Sequence, residues 1–182
     1  MDIAAARDSV GSMLIDAHSG QVVESFGLPM AFEFEFRDPD GKLIAVRRCR
    51  NVVTTQGKNL LGSIMWGATA KSTWYIGLKG TGTAVAADTA ASHGSWSEIT
   101  AYSQTVRQTL TMGSFSNGTA TNSASPGVFT INAGPTTIAG AFTINVSTKG
   151  DGTGSLYNAA DFSSPVTLSA GTVTVNGIVL GF

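Results

Sequence analysis

Phe32-Glu33-Phe34-Glu35-Phe36-Arg37-Asp38-Pro39-Asp40-Gly41-Lys42-Leu43-Ile44-Ala45-Val46-Arg47 reads as two strands joined by a tight turn. Its first five residues alternate strictly. An extended backbone therefore puts three phenylalanines on one face and two carboxylates on the other. Asp38-Pro39-Asp40-Gly41 is turn chemistry, because proline presets φ and glycine accepts a positive one. Lys42 to Arg47 then returns as a second strand. Glu33 and Glu35 are expected to face Arg47 or Lys42 across the pair, an exposed contribution of less than about 1 kcal/mol.

The alternation recurs downstream in Val128-Phe129-Thr130-Ile131, Phe142-Thr143-Ile144-Asn145-Val146 and Thr172-Val173-Thr174-Val175. These runs pair apolar with hydroxyl or amide side chains, as in strands with one face in a core and the other weakly polar. Strands are expected at 73–78, 105–112, 127–132, 136–146 and 165–181, separated by glycine-rich turns. A single helix is expected from Gln56 to Trp66, capped by Thr54 or Thr55, with Gly67 just past its end. Leu60, Leu61, Ile64 and Met65 form its apolar stripe, and Trp66 closes that contact. Many short strands with one helix predict an all-β body, a β-sandwich or jelly roll.

Residues 1–29 read differently and are taken as an arm, with the body at 30–182. Gly11, Gly20 and Gly27-Leu28-Pro29 interrupt the arm, and Met13-Leu14-Ile15 and Gln21-Val22-Val23 flank His18-Ser19-Gly20 as a weak hairpin. A lone two-stranded hairpin is marginal. Such a segment is ordered best by lying on another surface, so Met13, Leu14, Ile15, Val22, Val23 and Phe26 are candidate protein-interface residues.

Bulk composition narrows the function classes. The chain of 182 residues is 42% hydrophobic, but only 13% charged, with a net charge of −1 and 22 glycines. That charged share is about half the usual one. Residues 108–182 carry only Lys149, Asp151 and Asp161 as charged side chains. No global field steers such a protein onto nucleic acid or an anionic membrane. Low charge suits a surface partly covered by neighbours. Cys49 is the sole cysteine, so no intrachain disulfide forms. The start, Met1-Asp2-Ile3-Ala4-Ala5-Ala6-Arg7, predicts no secretory signal, and no apolar run is long enough for a bilayer span.

Catalytic and ligand-binding motifs are weak. His18 and His93 share no metal-ligand spacing, and Asp88 with His93 and a loop serine lacks a nucleophile elbow. Both side chains are expected to hydrogen-bond the loop backbone instead. In Lys149-Gly150-Asp151-Gly152-Thr153-Gly154 the lysine precedes the glycines, unlike a phosphate loop, and one carboxylate makes no calcium site. A tight strand connection is the reading there. No cofactor is expected. Arg47, Arg48 and Arg50 form the densest basic cluster; without interleaved aromatics nucleic-acid binding is a minor reading, and an anionic protein partner fits equally well. Trp66 and Trp74 sit in apolar runs and read as core, whereas Trp96, in Gly94-Ser95-Trp96-Ser97, reads as exposed and joins the interface candidates.

Several segments resemble the small head-associated decoration, or cement, proteins of tailed bacteriophages. They are Asp38-Pro39-Asp40-Gly41-Lys42-Leu43, Asn51-Val52-Val53-Thr54-Thr55-Gln56-Gly57-Lys58-Asn59-Leu60-Leu61, Thr73-Trp74-Tyr75-Ile76-Gly77-Leu78 and Ala86-Ala87-Asp88-Thr89-Ala90-Ala91-Ser92-His93. Trp96-Ser97-Glu98 with Ala101-Tyr102-Ser103, Thr137-Ile138-Ala139-Gly140-Ala141-Phe142 and Ser147-Thr148-Lys149-Gly150 continue the series in order. The family pattern usually starts near the Phe32 strand, so the arm departs from it. The resemblance implies a β-sandwich made in the host cytoplasm and carried on the outer capsid surface of the virion. There it binds the major capsid protein, and itself as a dimer or trimer, without an enzymatic step. The alternative class is a tail- or fibre-associated module that binds a receptor or glycan.

Overall fold

The computed structural model describes residues 13–15, 22–24, 30–132, 134–176 and 179–181. Strands β1 (Met13–Ile15) and β2 (Val22–Glu24) pair antiparallel, with Leu14 opposite Val23, as the hairpin reading predicts. Phe26 lies outside the described residues, as do the side chains of Met13, Leu14, Ile15, Val22 and Val23.

The phenylalanine alternation becomes β3 (Met30–Arg37), with Phe32, Phe34 and Phe36 buried and both glutamates half-buried. Asp38 Oδ1 accepts the N–H groups of Asp40 and Lys42, and Gly41 takes φ +81°, which turns the chain into β4 (Leu43–Val53). The expected charge pairing is corrected here. Glu33 binds Arg48 at 2.5 Å and Glu35 binds Arg37 at 2.8 Å. Register explains the change: Arg47 stands opposite Phe34, on the face away from the glutamates, and its Nε donates to the Ser164 carbonyl.

Helix α1 (Thr55–Met65) follows, and Thr54 is its cap, accepting from Gly57 N–H and donating to the Leu156 carbonyl at 2.5 Å. Gly57 is obligatory, because a Cβ there would lie 2.2 Å from the Tyr157 carbonyl oxygen. Leu61 packs against the core, whereas Met65 and Trp66 remain 65% and 86% exposed. The apolar stripe therefore ends at Ile64: successive residues rotate by about 100°, so Met65 and Trp66 turn past the contact.

The remaining strands are β5 (Tyr75–Lys79), β6 (Glu98–Ile99), β7 (Gln108–Thr109), β8 (Thr119–Thr121), β9 (Gly127–Ile131), β10 (Thr136–Ile144), β11 (Leu156–Leu168), β12 (Gly171–Val175) and β13 (Val179–Gly181). They join β3 and β4 in one eleven-stranded sheet ordered β6-β5-β10-β11-β4-β3-β12-β9, with β13 on β3 and β8, and β7 on β5. Every pairing is antiparallel. β4 is the corner strand. Its residues 43–50 pair with β3, and its residues 51–53 pair with β11. The sheet thereby curls into a half-barrel, and both halves feed one core, in which the Phe162 ring meets Phe34 at 4.7 Å and Phe36 at 5.9 Å. The all-β expectation holds. The expected strand at 105–112 shrinks to Gln108–Thr109, and the run Leu156–Ser164 is strand although it carries no alternation.

A second apolar cluster, containing Trp96, Phe142, Ile144, Leu156 and Ala159, lies on the other side of β10 and β11. Residues 80–97 cover it. Burial pushes the thiol of half-buried Cys49 up to about 12, with the Asp161 charge adding to the effect.

Two outcomes are expected. Phe34→Ala should lower unfolding free energy by about 3–5 kcal/mol in urea titrations, and Thr54→Ala by about 1 kcal/mol. At pH 8, Cys49 in the folded protein should alkylate at least about tenfold more slowly than in urea, since few native molecules carry the thiolate; mass spectrometry of timed samples reads both rates.

Candidate functional site

A cleft of about 450 Å³ opens between the 90–98 segment, Arg107, the 150–152 turn and the outer faces of Phe142, Ile144 and Leu156. The covering segment that leads to it begins with the chain leaving β5. Lys79 is wholly buried, and its Nζ meets Asp161 Oδ1 at 2.6 Å. The same ammonium donates to the carbonyls of Gly80 and Gly82, and lies 5.5 Å from the Trp96 ring centre. Asp161 Oδ2 accepts the Ala84 N–H at 2.9 Å, so one ion pair pins both strands and the start of the covering segment.

Asp88 and His93 take the structural roles that their weak motif predicts. Asp88 Oδ2 accepts from Val85 N–H and from Trp96 Nε1–H, each at 2.9 Å. His93 Nδ1–H donates to the Trp96 carbonyl at 2.9 Å, and its ring stacks on the indole at 4.0 Å. Trp96 is only 6% exposed, which corrects the expectation of an exposed ring. The reason is tertiary. The indole covers Phe142, at 5.4 Å between ring centres, and its N–H is satisfied by Asp88.

At the cleft floor, Arg107 grips Glu98 in a two-pronged pair, Nε to Oε1 at 2.8 Å and Nη2 to Oε2 at 2.7 Å. Arg107 also donates to the carbonyls of Val146 and Asp151, and Glu98 accepts the Gly150 N–H. Both side chains are almost fully buried. Lys149 donates to the carbonyls of Thr100 and Tyr102, each at 3.0 Å, with its ammonium 4.2 Å from the centre of the Tyr102 ring. Asp151 accepts from the Thr153 hydroxyl and N–H, which hold its carboxyl below the usual range. The 149–154 stretch is thus a clamped strand connection. Among the described residues, no group of three or more His, Cys, Asp or Glu side chains is placed to hold a metal ion. No described helix is long and apolar enough to cross a membrane.

The other predicted site residues are scattered. Arg47 lies on the inner side of β4, while Arg48 and Arg50 are exposed on its outer side. Trp74 is half-buried against Tyr157, as its apolar run predicts, but Trp66 is the exposed ring, the reverse of the expectation. Sequence reasoning missed Lys79, Glu98, Arg107 and Asp161. A signal existed for Asp161: a lone charge in an apolar stretch needs a buried counter-charge. Which lysine or arginine answers it depends on the sheet order. No protein-family model matches the chain, and no curated protein or solved structure matches it.

Arg107→Met leaves the Glu98 carboxylate buried beside Gly150 without its counter-charge. It should destabilise the fold by about 3–5 kcal/mol, and adding Glu98→Gln should restore part of that loss; urea titration of the three variants measures the coupling.

Proposed function

We propose that the protein is a virion structural protein that binds the outside of a bacteriophage shell, through its major capsid protein, and stabilises it. The ordered segments from Asp38 to Gly150 that resemble decoration proteins motivate the reading. The observation that carries it is how polar and apolar groups are divided. The ionisable side chains lining the cleft are engaged with one another or with loop backbone. Meanwhile Ile44, Val46 and Val52 stay bare on the outer side of β4, at either end of Arg48 and Arg50. That strip suits a complementary protein surface of mixed apolar and acidic character, where a stable contact buries about 800 Å² per partner.

Quantitative mass spectrometry of purified particles tests the reading, with hundreds of copies per shell expected. The Ile44→Glu/Val46→Glu variant should bind shells at least about tenfold more weakly while unfolding at an unchanged urea midpoint. A handful of copies per particle, with binding to a glycan panel, would instead favour a tail-associated recognition module.

A further inference from the structure

We infer that the protein self-associates through the outward face of α1, as an antiparallel helix pair whose two-fold axis passes beside Gly62. The inference stands on α1 alone and does not depend on what the assembly docks onto.

Gly57, Leu60, Leu61 and Ile64 turn towards the body. With about 100° between residues, the opposite arc collects Thr55, Asn59, Gly62 and Trp66, with Lys58 and Met65 along its border. Exposure follows this division: Trp66 keeps 86% and Met65 65% of their surface in contact with solvent. The fold does not use the Trp66 ring to end the helix. That role falls to its backbone N–H, which donates to the Gly62 carbonyl, and to Gly67. Large aromatic and methionine side chains left bare together are the composition of contact centres, not of ordinary solvated surface.

Gly62 is the second observation. Gly57, one and a half turns earlier, is required by the Tyr157 backbone. At Gly62 a Cβ would meet nothing within 4 Å, so the packing of the described residues gives no reason for glycine there. Glycine is also the poorest residue in a helix interior after proline. A missing side chain in the middle of an exposed face lets a second helix axis approach closely.

A second copy fits this face because the face is self-complementary. Lys58 and Trp66 are equidistant from Gly62 on either side, as are Asn59 and Met65. An antiparallel two-fold pair therefore sets each Lys58 ammonium over the partner's Trp66 indole, a favourable cation–π contact made twice. The two lysines then stand about 12 Å apart along the helices, beyond the screening length of about 8 Å in physiological salt, so their repulsion is minor. The arc carries no acidic residue to oppose this arrangement. Each indole buries roughly 200 Å² of the approximately 800 Å² per partner that a stable contact needs. Met65, Asn59 and the exposed, mostly small run Gly67-Ala68-Thr69-Ala70-Lys71 adjoin it to supply more.

Sedimentation velocity of the full chain to about 200 μM should show a reversible monomer–dimer equilibrium. Trp66→Ala and Gly62→Leu should each raise the dimer dissociation constant at least about tenfold, while Gly62→Leu leaves the unfolding temperature equal or higher, because its site is empty in the monomer. In a Cys49→Ser background, Gly62→Cys should cross-link to itself on mild oxidation, whereas Lys58→Cys should cross-link only when mixed with Trp66→Cys. A monomer at the highest concentration, an oligomer of another order, or a dimer indifferent to both α1 substitutions would overturn the inference.

Discussion

Burial of β10 on both faces is the constraint from which the rest of the structure follows. From Ile138 to Ile144 no residue of this strand is exposed. One side faces the Phe34, Phe36 and Phe162 core; among the described residues no second sheet layer covers the other. Residues 80–97 make that cover, and such a segment must satisfy its own backbone groups wherever it is buried. Lys79, Asp88 and Asp161 answer carbonyl and N–H groups along it, and Trp96 provides the apolar lid. The close approach also selects glycines. A Cβ at Gly77 would strike the Phe142 ring at 2.2 Å, and one at Gly140 would lie 1.9 Å from the Ala160 carbonyl oxygen.

Scarce charge then takes on a structural meaning. Asp161 and Lys149 hold backbone or buried counter-charges, and Asp151 shapes the turn in which it sits. Arg107, the last arginine, closes the cleft floor against Glu98. Buried pairs of this kind rarely add much net stability over apolar replacements, but losing one partner is severe. Their contribution here is to fix where long connections lie. Lys79, Asp88 and Arg107 are buried, while apolar side chains such as Ile44, Val46 and Trp66 stay bare on the outer surface.

β4 shows how one strand links interior and exterior roles. Its inner residues Ala45, Cys49 and Val53 pack against the core, and its last three residues carry the sheet around the corner onto β11. Its outer residues display Ile44, Val46, Arg48, Arg50 and Val52. Helix α1 divides itself in the same way, with Gly57 against Tyr157 and Trp66 in solvent. Both candidate contact surfaces are therefore the outward halves of elements whose inward halves build the core.

Local periodicity was enough to read much of this. Strict alternation in Phe32–Phe36, Val128–Ile131 and Thr172–Val175 marks β3, β9 and β12, whose residues share one buried and one open face. Turn chemistry at Asp38–Gly41 and a threonine cap before α1 were legible because they depend on neighbours a few residues away. The strand at Leu156–Ser164 was not legible, since burial on both faces at its start erases the alternation. Nor were the fates of the tryptophans. Trp96 looks like loop surface and Trp66 like the end of an apolar stripe, yet coverage of β10 buries the first, and helical rotation past Ile64 bares the second. Local patterning along the chain sets most of the elements, their inward faces and the turns between them. Which charge answers which and which rings meet water depend instead on sheet order and double-sided burial between residues distant in the chain.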